Sequence, residues 1–152
     1  MTFEAKRVDR SASFIVARPP EEALQLFTAE GERAWAPGWN PVYLYPPDGR
    51  TEEGMAFMTG EGAETTLWLM TRYDAARHEV QYARVTPASR MGTVTVACDP
   101  AGQGRTQVTV RYVLTALNEA GNAFLEKLGE KEYREFIETW KDAIGKLGRT
   151  DR

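Results

Sequence analysis

The sequence has very little cysteine and histidine, which argues against several kinds of site. Cys98 is the only cysteine among 152 residues, so no disulfide can form within the chain. It lies in a strand-like run, and we interpret it as a small buried apolar residue rather than a reactive thiol. We therefore expect a reducing, cytoplasmic setting. His78 is the only histidine, and one His with one Cys cannot make a zinc site. No acidic spacing resembles a calcium loop, so we predict that the protein binds no metal.

The sequence also lacks a basic excess and long apolar runs. Lysine and arginine total 19 against 22 aspartate and glutamate, which gives a formal net charge of -3. Without a basic excess, binding to a phosphate backbone is disfavoured, and we predict no nucleic-acid partner. No stretch of about 18 apolar residues occurs, and no apolar segment of a signal peptide follows the basic first residues. We therefore predict no membrane insertion.

The usual catalytic and phosphate-binding motifs are weak or missing. His78 falls in the polar turn 75–78, so we interpret it as a solvated turn residue rather than a member of a Ser/His/Asp triad. Residues 60–62 and 102–104 are glycine-rich, but neither segment precedes a helix with the required lysine or nucleotide fingerprint. We interpret both as hairpin turns and expect no cofactor.

What the sequence does contain is a long amphipathic helical pattern over residues 118–147. Asn118 is the predicted N-cap, with Glu119 in the first turn, and Gly148 is the predicted stop before a polar tail. Glycine within a helix costs roughly 0.5–1 kcal/mol relative to alanine, so we expect a bend or local break at Gly129. Apolar residues recur at three- and four-residue steps, which place them on one helical face: Phe124, Leu125, Leu128, Tyr133, Phe136, Ile137, Trp140, Ile144 and Leu147.

Before this helix the pattern indicates one strand, two short helices and six further strands. A helix is predicted to open at Pro19-Pro20-Glu21-Glu22, because proline and acidic residues suit a first helical turn. A second short turn carries Ala34 and Trp35 and ends at Pro37-Gly38. Every later connection is short, so we predict an antiparallel sheet. The strands are predicted at residues 11–18, 42–45, 55–59, 65–73, 79–86, 90–99 and 105–117.

The organisation indicates one domain over residues 1–152. A chain of this length can bury roughly 68–70% of its unfolded surface, which is enough for one core. No internal repeat, low-complexity tract or linker interrupts the sequence.

Two segments near the start carry a family resemblance. The run FIVARPPEEA from residue 14, followed by ERAWAPGW from residue 32, resembles the START-related SRPBCC superfamily of polyketide cyclase/dehydrase and lipid-transport proteins. Residues 68–74 and 92–96 extend the resemblance through the sheet, and the terminal helix completes it. The resemblance implies an α+β helix-grip fold, in which a curved antiparallel seven-stranded sheet surrounds a long C-terminal helix in the order β-α-α-β6-α. That superfamily includes ligand carriers, cyclases, hormone receptors and chaperone co-factors, so it does not determine the chemistry.

A helix-grip fold leaves a cavity between the concave sheet face and the long helix, and many aromatic residues fall where it is expected. On the last strand, Tyr112 shares its side with Val108, Val110 and Leu114, which we predict to face the helix. The alternation in residues 65–73 leaves the inner side open, because both sides are apolar. The candidate ligand-binding residues are Trp35, Trp39, Tyr43, Trp68, Tyr82, Arg84, Tyr112, Phe136 and Trp140.

Arg84 is the one charged candidate, in an otherwise apolar run. If it points inward, its guanidinium could anchor a ligand carboxylate or carbonyl. A solvent-facing arginine is the alternative.

We expect the protein to bind a small hydrophobic molecule that is lipid-, polyketide- or aromatic-like. One alternative is a cyclase/aromatase-type enzyme, in which Tyr82, Arg84 and Tyr112 polarise a carbonyl and move a proton. Another is a chaperone-cofactor-like interaction domain that uses the sheet surface, which an exposed apolar patch with a filled interior would favour. Whether a reaction is catalysed, and whether the chain forms a homodimer, are left open by the sequence.

Overall fold

The computed structural model describes residues 2–150, with side chains for residues 2–147, and within this range seven strands form a single sheet. The spatial order is β1-β7-β6-β5-β4-β3-β2, so the last strand in sequence lies beside the first. All neighbours pair antiparallel, as predicted. The strands are β1 (Arg7–Val16), β2 (Val42–Tyr45), β3 (Ala56–Thr59), β4 (Thr66–Asp74), β5 (Glu79–Thr86), β6 (Arg90–Pro100) and β7 (Thr106–Ala116).

The first strand begins earlier than the sequence pattern indicates. β1 starts at Arg7 rather than at residue 11, because its first four residues pair in register with residues 112–115 of β7. The exposed Asp9 accepts hydrogen bonds from Nε and Nη2 of Arg111 at 2.9 and 2.7 Å. Charged side chains on the outer side of this edge strand are therefore compatible with strand pairing.

Two short helical segments follow β1 and position several aromatic rings. They are α1 (Pro20–Gln25), which begins at the expected prolines, and a 3-10 turn (Gly31–Ala34). A Cβ on Gly31 would lie 1.8 Å from the Gln25 carbonyl oxygen, so only glycine allows the turn to pass this close to α1. Three aromatic side chains donate hydrogen bonds to carbonyls just after α1: Trp35 Nε1 to Leu26 (2.8 Å), Trp39 Nε1 to Ala29 (2.8 Å) and the Tyr82 hydroxyl to Phe27 (2.7 Å).

The predicted C-terminal helix is divided into two helices, α2 (Glu119–Glu126) and α3 (Glu130–Thr150). The division falls at residues 127–129, which confirms the local break expected at Gly129. Each helix described within residues 2–150 is either too short or too polar to cross a lipid bilayer.

The two ends of the helical region differ in how well the sequence predicts them. The side-chain oxygen of Asn118 accepts a hydrogen bond from the backbone N–H of Gly121 at 2.9 Å, so the predicted N-cap is confirmed. The prediction of Gly148 as the stop is wrong, because α3 continues to Thr150. A glycine weakens a helix by only about 1 kcal/mol and does not by itself end it. Of the predicted polar tail, residues 151 and 152 lie outside the described residues.

The concave face of the sheet is the apolar one. On β4, Trp68 and Met70 are buried while Leu67 and Leu69 are 38% and 44% exposed, so Trp68 is on the inner side. α3 packs across this face, where the Tyr133 hydroxyl donates a hydrogen bond of 2.6 Å to the carbonyl of Val110. The predicted inner residues of β7 are all buried: Val108, Val110, Tyr112 and Leu114.

Candidate ligand-binding cavity

A cavity of about 400 Å³ lies between the inner sheet face, the segment after α1 and helix α3. The structure brings eight of the nine candidate residues to its wall: Trp35, Trp39, Trp68, Tyr82, Arg84, Tyr112, Phe136 and Trp140.

Tyr43 is the candidate that lies outside this cavity. Its hydroxyl donates a hydrogen bond to the Glu30 carboxylate, and its ring lies beside Gly49. Burial, together with the Glu30 carboxylate, raises the pKa of Tyr43 to about 12. Tyr43 pairs with the buried Phe57 of β3, and the register shifts only after it, between Tyr43 and Tyr45.

The aromatic wall consists of rings fixed against one another. Trp68 stacks on Phe57 with an interplanar angle of 4° and a centroid distance of 5.7 Å. Across the cavity, Trp140 of α3 lies 5.3 Å from Trp35 and 5.6 Å from Phe136. The indole N–H of Trp68 donates to Thr59 Oγ1 at 2.9 Å, and those of Trp35 and Trp39 bond to backbone carbonyls. These groups are therefore occupied within the protein, and the rings offer mainly apolar surface to a ligand.

Arg84 points into the interior, so the solvent-facing alternative is wrong. It follows Val80 and Tyr82 on the inner side of β5, and its guanidinium carbon lies 4.8 Å from the centroid of Trp68. Its Nη2 donates to Thr86 Oγ1 at 2.9 Å, whereas its buried Nε has no hydrogen-bond partner among the described residues. Burial lowers the pKa of Arg84.

A second buried arginine, Arg90, was not among the sequence candidates. Its side chain is only 7% exposed, and its Nη2 lies 3.3 Å from an oxygen of Glu64, which is itself 63% exposed. The guanidinium carbon lies 3.6 Å from the centroid of Phe124. An arginine at the start of a strand is typical of a surface position. The pattern that could have indicated burial is that Arg90 lies four and six residues before Val94 and Val96, and therefore on the same side of β6 as these buried residues.

Glu32 is the other group in the wall that sequence reasoning missed. It lies in the 3-10 turn and lines the cavity, and none of the described residues hydrogen-bonds or ion-pairs with its carboxyl group. Burial raises its pKa well above the usual value. A negative charge on Glu32 would in turn raise the pKa of Tyr82 and of Tyr112, so the ionisation of Glu32 influences the ionisation of both tyrosines. Its orientation depends on how the short turn packs, and the sequence ERA carries no signal for that.

A smaller cavity of about 270 Å³ adjoins the first. Its own wall includes Leu114, Leu128 and Tyr133. The two cavities share five lining residues: Glu64, Arg84, Arg90, Tyr112 and Phe136. Both arginines therefore lie where the two cavities meet.

The cysteine and the histidine lie away from the cavity wall. Cys98 is 1% exposed, and burial raises the pKa of its thiol to about 12, in agreement with its interpretation as a buried apolar residue. His78 lies in the β4–β5 turn with a φ of 57°, and its carbonyl accepts a hydrogen bond from Cys98 N–H at 2.8 Å. Within the described part of the chain, no three His, Cys, Asp or Glu side chains are grouped as metal ligands.

Several solved structures share this architecture at low sequence identity. Norcoclaurine synthase from Thalictrum flavum, in complex with dopamine and hydroxybenzaldehyde, is 13% identical with a TM-score of 0.68, covering 97% of this chain and 90% of that chain. Major latex-like protein 151 from Panax ginseng is 12% identical with a TM-score of 0.65, covering 92% and 95%. A hypothetical protein from Helicobacter pylori is 9% identical with a TM-score of 0.71, covering 90% and 85%. These likenesses establish the helix-grip fold alone.

The sequence comparison is more specific about the family. No curated protein matches the chain in sequence. The family model described as "polyketide cyclase / dehydrase and lipid transport" matches residues 7–145, almost the whole chain. The match confirms the resemblance found in the sequence, and the chain belongs to the polyketide cyclase/dehydrase and lipid transport family.

Proposed function

We propose that the protein encloses a small, largely apolar ligand with an aromatic or polyketide-like body in the cavity between the sheet and α3. The observation that carries this proposal is the cavity of about 400 Å³ with a wall of fixed aromatic rings. Ligand sites are typically concave, about 300–1,000 Å³ in volume, and mainly apolar with a few placed polar groups. The family is consistent with hydrophobic ligand binding, and the similar norcoclaurine synthase structure holds small aromatic compounds.

The interior also argues against the interaction-domain alternative. The cavity is partly open to solvent, but its wall includes the buried side chains of Tyr82, Val94 and Val96, so it extends into the interior instead of lying on the surface alone. The outer sheet face does expose apolar side chains, among them Leu44, Leu67, Leu69 and Met91. The interaction-domain reading required a filled interior as well, and the cavity does not meet that condition.

Binding can be measured with N-phenyl-1-naphthylamine, a neutral dye that fluoresces more strongly in apolar surroundings. We expect saturable binding near one dye per protein. Val94 lies between Tyr82 and Tyr112 in cross-strand register and lines the cavity, so Val94→Phe should occupy part of the space and weaken dye binding at least tenfold.

Thr93→Phe is the matched control, because Thr93 is the adjacent residue on the other side of β6. It adds the same ring outside the cavity and should leave dye affinity within about twofold. Absence of saturable dye binding, or equal effects of the two variants, would contradict the proposal.

A second candidate function, proton transfer at a carbonyl compound, is favoured by the unpaired Glu32 carboxyl group in the same wall. Its carboxylate form could remove a proton from the carbon beside a ligand carbonyl, while Arg84 and Tyr112 stabilise the resulting enolate oxygen. Tyr82 suits this role less well than the sequence indicated, because its hydroxyl already donates to the Phe27 carbonyl.

The enzyme candidate can be tested by exchange of the α-hydrogen of benzoylacetone in D₂O, followed by NMR. Exchange faster than in buffer, lost in Glu32→Gln and retained in the control Glu30→Gln, would support it. Glu30 suits the control because it lies next to the same turn but contacts Tyr43 outside the cavity. Exchange at the buffer rate would exclude this activity and leave the binding proposal unaffected.

A further inference from the structure

The polar part of the cavity wall carries positive charge that is only partly compensated. The Nη2 of Arg84 lies 2.9 Å from Thr86 Oγ1 and 3.5 Å from Thr66 Oγ1, and its guanidinium lies over the Trp68 ring. These three partners are neutral, as is the Tyr112 hydroxyl that also interacts with this guanidinium. An arginine stays protonated in proteins, so its charge is present in the interior, and no carboxylate of the described residues forms an ion pair with it. The negative charge that acts on it is that of Glu64, whose side chain is 63% exposed.

Arg90 adds a second charge that is only partly balanced. Among the described residues its acidic partner is Glu64, which is 63% exposed, and its Nη1 donates a hydrogen bond to Ser89 Oγ at 3.1 Å. An exposed partner is screened by water and compensates a buried charge poorly. Burial lowers the pKa of Arg84, and the charge of Arg90 lowers it further, whereas Tyr112 and Glu64 raise it.

Both arginines also have a buried donor that the described residues do not satisfy. The Nε atoms of Arg84 and Arg90 are the buried side-chain polar atoms without a hydrogen-bond partner in residues 2–147. Buried polar groups in native proteins are nearly always paired, and unmade hydrogen bonds of charged groups are especially costly. Arg84 and Arg90 each line both cavities, so they lie where a bound molecule would extend from one cavity into the other.

We propose that the ligand of this cavity is an organic acid, and that its carboxylate is held by Arg84 and Arg90 where the two cavities meet. The inference rests on the proposed binding function and makes it more specific. A carboxylate accepts several charge-assisted hydrogen bonds and supplies the missing negative charge. Its apolar body would lie among the rings of the larger cavity, with Leu114, Leu128 and Phe124 available to a shorter apolar arm on the other side.

Two competitors of the same shape separate this inference from simple apolar binding. The probes are 2-naphthylacetate and 2-(2-naphthyl)ethanol, each displacing N-phenyl-1-naphthylamine from the intact protein. Hydrogen bonds to charged groups are strong, so the acid should bind roughly 10- to 100-fold more tightly than the alcohol. Equal affinities would overturn the inference while leaving the binding function in place, whereas failure of the dye itself to bind would remove both.

Arginine variants test which side chains cause the preference for the acid over the alcohol. Arg84→Leu and Arg90→Leu should each reduce the preference for acid over alcohol, with little change in the affinity of the alcohol. Arg111→Leu is the matched control, because Arg111 pairs with Asp9 on the outer side of the sheet. A preference that persists unchanged in both inner variants, or falls equally in the control, would contradict the assignment.

A measurement on the unaltered protein keeps the inference testable if the inner variants do not fold. With ¹³C-carboxyl-labelled 2-naphthylacetate bound, the carboxyl chemical shift reports its ionisation. Two neighbouring guanidinium groups should lower the pKa of the bound acid below that of the free acid. An unchanged or raised pKa of the bound acid would place it away from the arginines and overturn the proposal.

Discussion

Trp140 provides the sharpest test of whether helix α3 closes a functional cavity or simply covers a core. Its ring lies 6.1 Å from Phe27, 5.3 Å from Trp35 and 6.4 Å from Tyr112, so it bridges the helix, the segment after α1 and the sheet. It is only partly buried and lines the cavity. Trp140→Ala therefore enlarges an existing space instead of opening a new one.

The expected magnitudes follow from this position. Trp→Ala in a filled core costs about 3–5 kcal/mol, part of which is the energy of the new cavity. Because one side of the Trp140 ring already faces open space, we expect a loss of only about 2 kcal/mol in the free energy of unfolding. A single aromatic contact contributes about 0.5–1.5 kcal/mol, so dye affinity should fall by about 2- to 12-fold.

Urea unfolding and dye titration on the same preparations measure both quantities. Ile144→Ala is a suitable control, since Ile144 is 4% exposed and lies one turn further along α3, away from the cavity wall. It should cost about 2–5 kcal/mol and leave the dye affinity of the folded protein unchanged. A cost of 3–5 kcal/mol for Trp140→Ala with unaltered dye binding would refute the reasoning, because Trp140 would then act only as core.

Three further predictions concern single residues. Because burial raises the pKa of Glu32, the folded protein holds a proton that the unfolded chain has released, so stability should fall as pH rises above about 4.5. The free energy of unfolding should fall by at most about 1.4 kcal/mol per pH unit. Urea melts from about pH 5 to about pH 8 measure this slope, and Glu32→Gln should abolish the contribution. An identical slope in the variant would mean that another group causes the effect. Asn118→Ala removes the cap of α2 and should cost about 1 kcal/mol in the same melts, while no loss would mean that the cap is dispensable. His78→Ala should change stability by no more than about 0.5 kcal/mol and dye affinity by less than about twofold, and a larger loss of binding would contradict its placement in a solvated turn.

Local signals in the sequence were sufficient for most of the fold. The short polar connections predicted the antiparallel pairing, and the glycine at 129 predicted the break before α3. The errors occur where tertiary contacts outweigh local propensity. Arg7 and Asp9 do not favour a strand by composition, yet pairing with β7 extends β1 through both. At the other end, Ile144 is 4% exposed, and α3 continues beyond it through Gly148 to Thr150.

The candidate site was only partly predictable, for a different physical reason. Alternation predicts the inner position of Tyr112 on its strand, whereas both sides of β4 are apolar and the inner position of Trp68 is known only from its burial. Arg84 could be proposed because it is a charged residue in an otherwise apolar run, but the sequence left its direction open. Glu32 and Arg90 are polar residues in a short turn and at a strand end, where composition normally indicates solvent exposure. Arg90 is covered by the ring of Phe124 in α2, and Glu32 lines the cavity because of how the short turn packs.

Glu32, Arg84 and Arg90 add polar and charged groups to a cavity wall that is otherwise mainly aromatic. Glu32 lines only the larger cavity, while both arginines lie where this cavity meets the smaller one. Burial favours the neutral form of Glu32, and a neutral carboxyl group can donate a hydrogen bond, whereas the arginines favour a negative group. A ligand with a carboxylate at one end and a carbonyl or hydroxyl at the other would therefore be held in one orientation. The indole N–H groups of Trp35, Trp39 and Trp68 are bonded within the protein, so these rings supply affinity without fixing the ligand's orientation. The selectivity of the site should therefore depend on Glu32, Arg84 and Arg90.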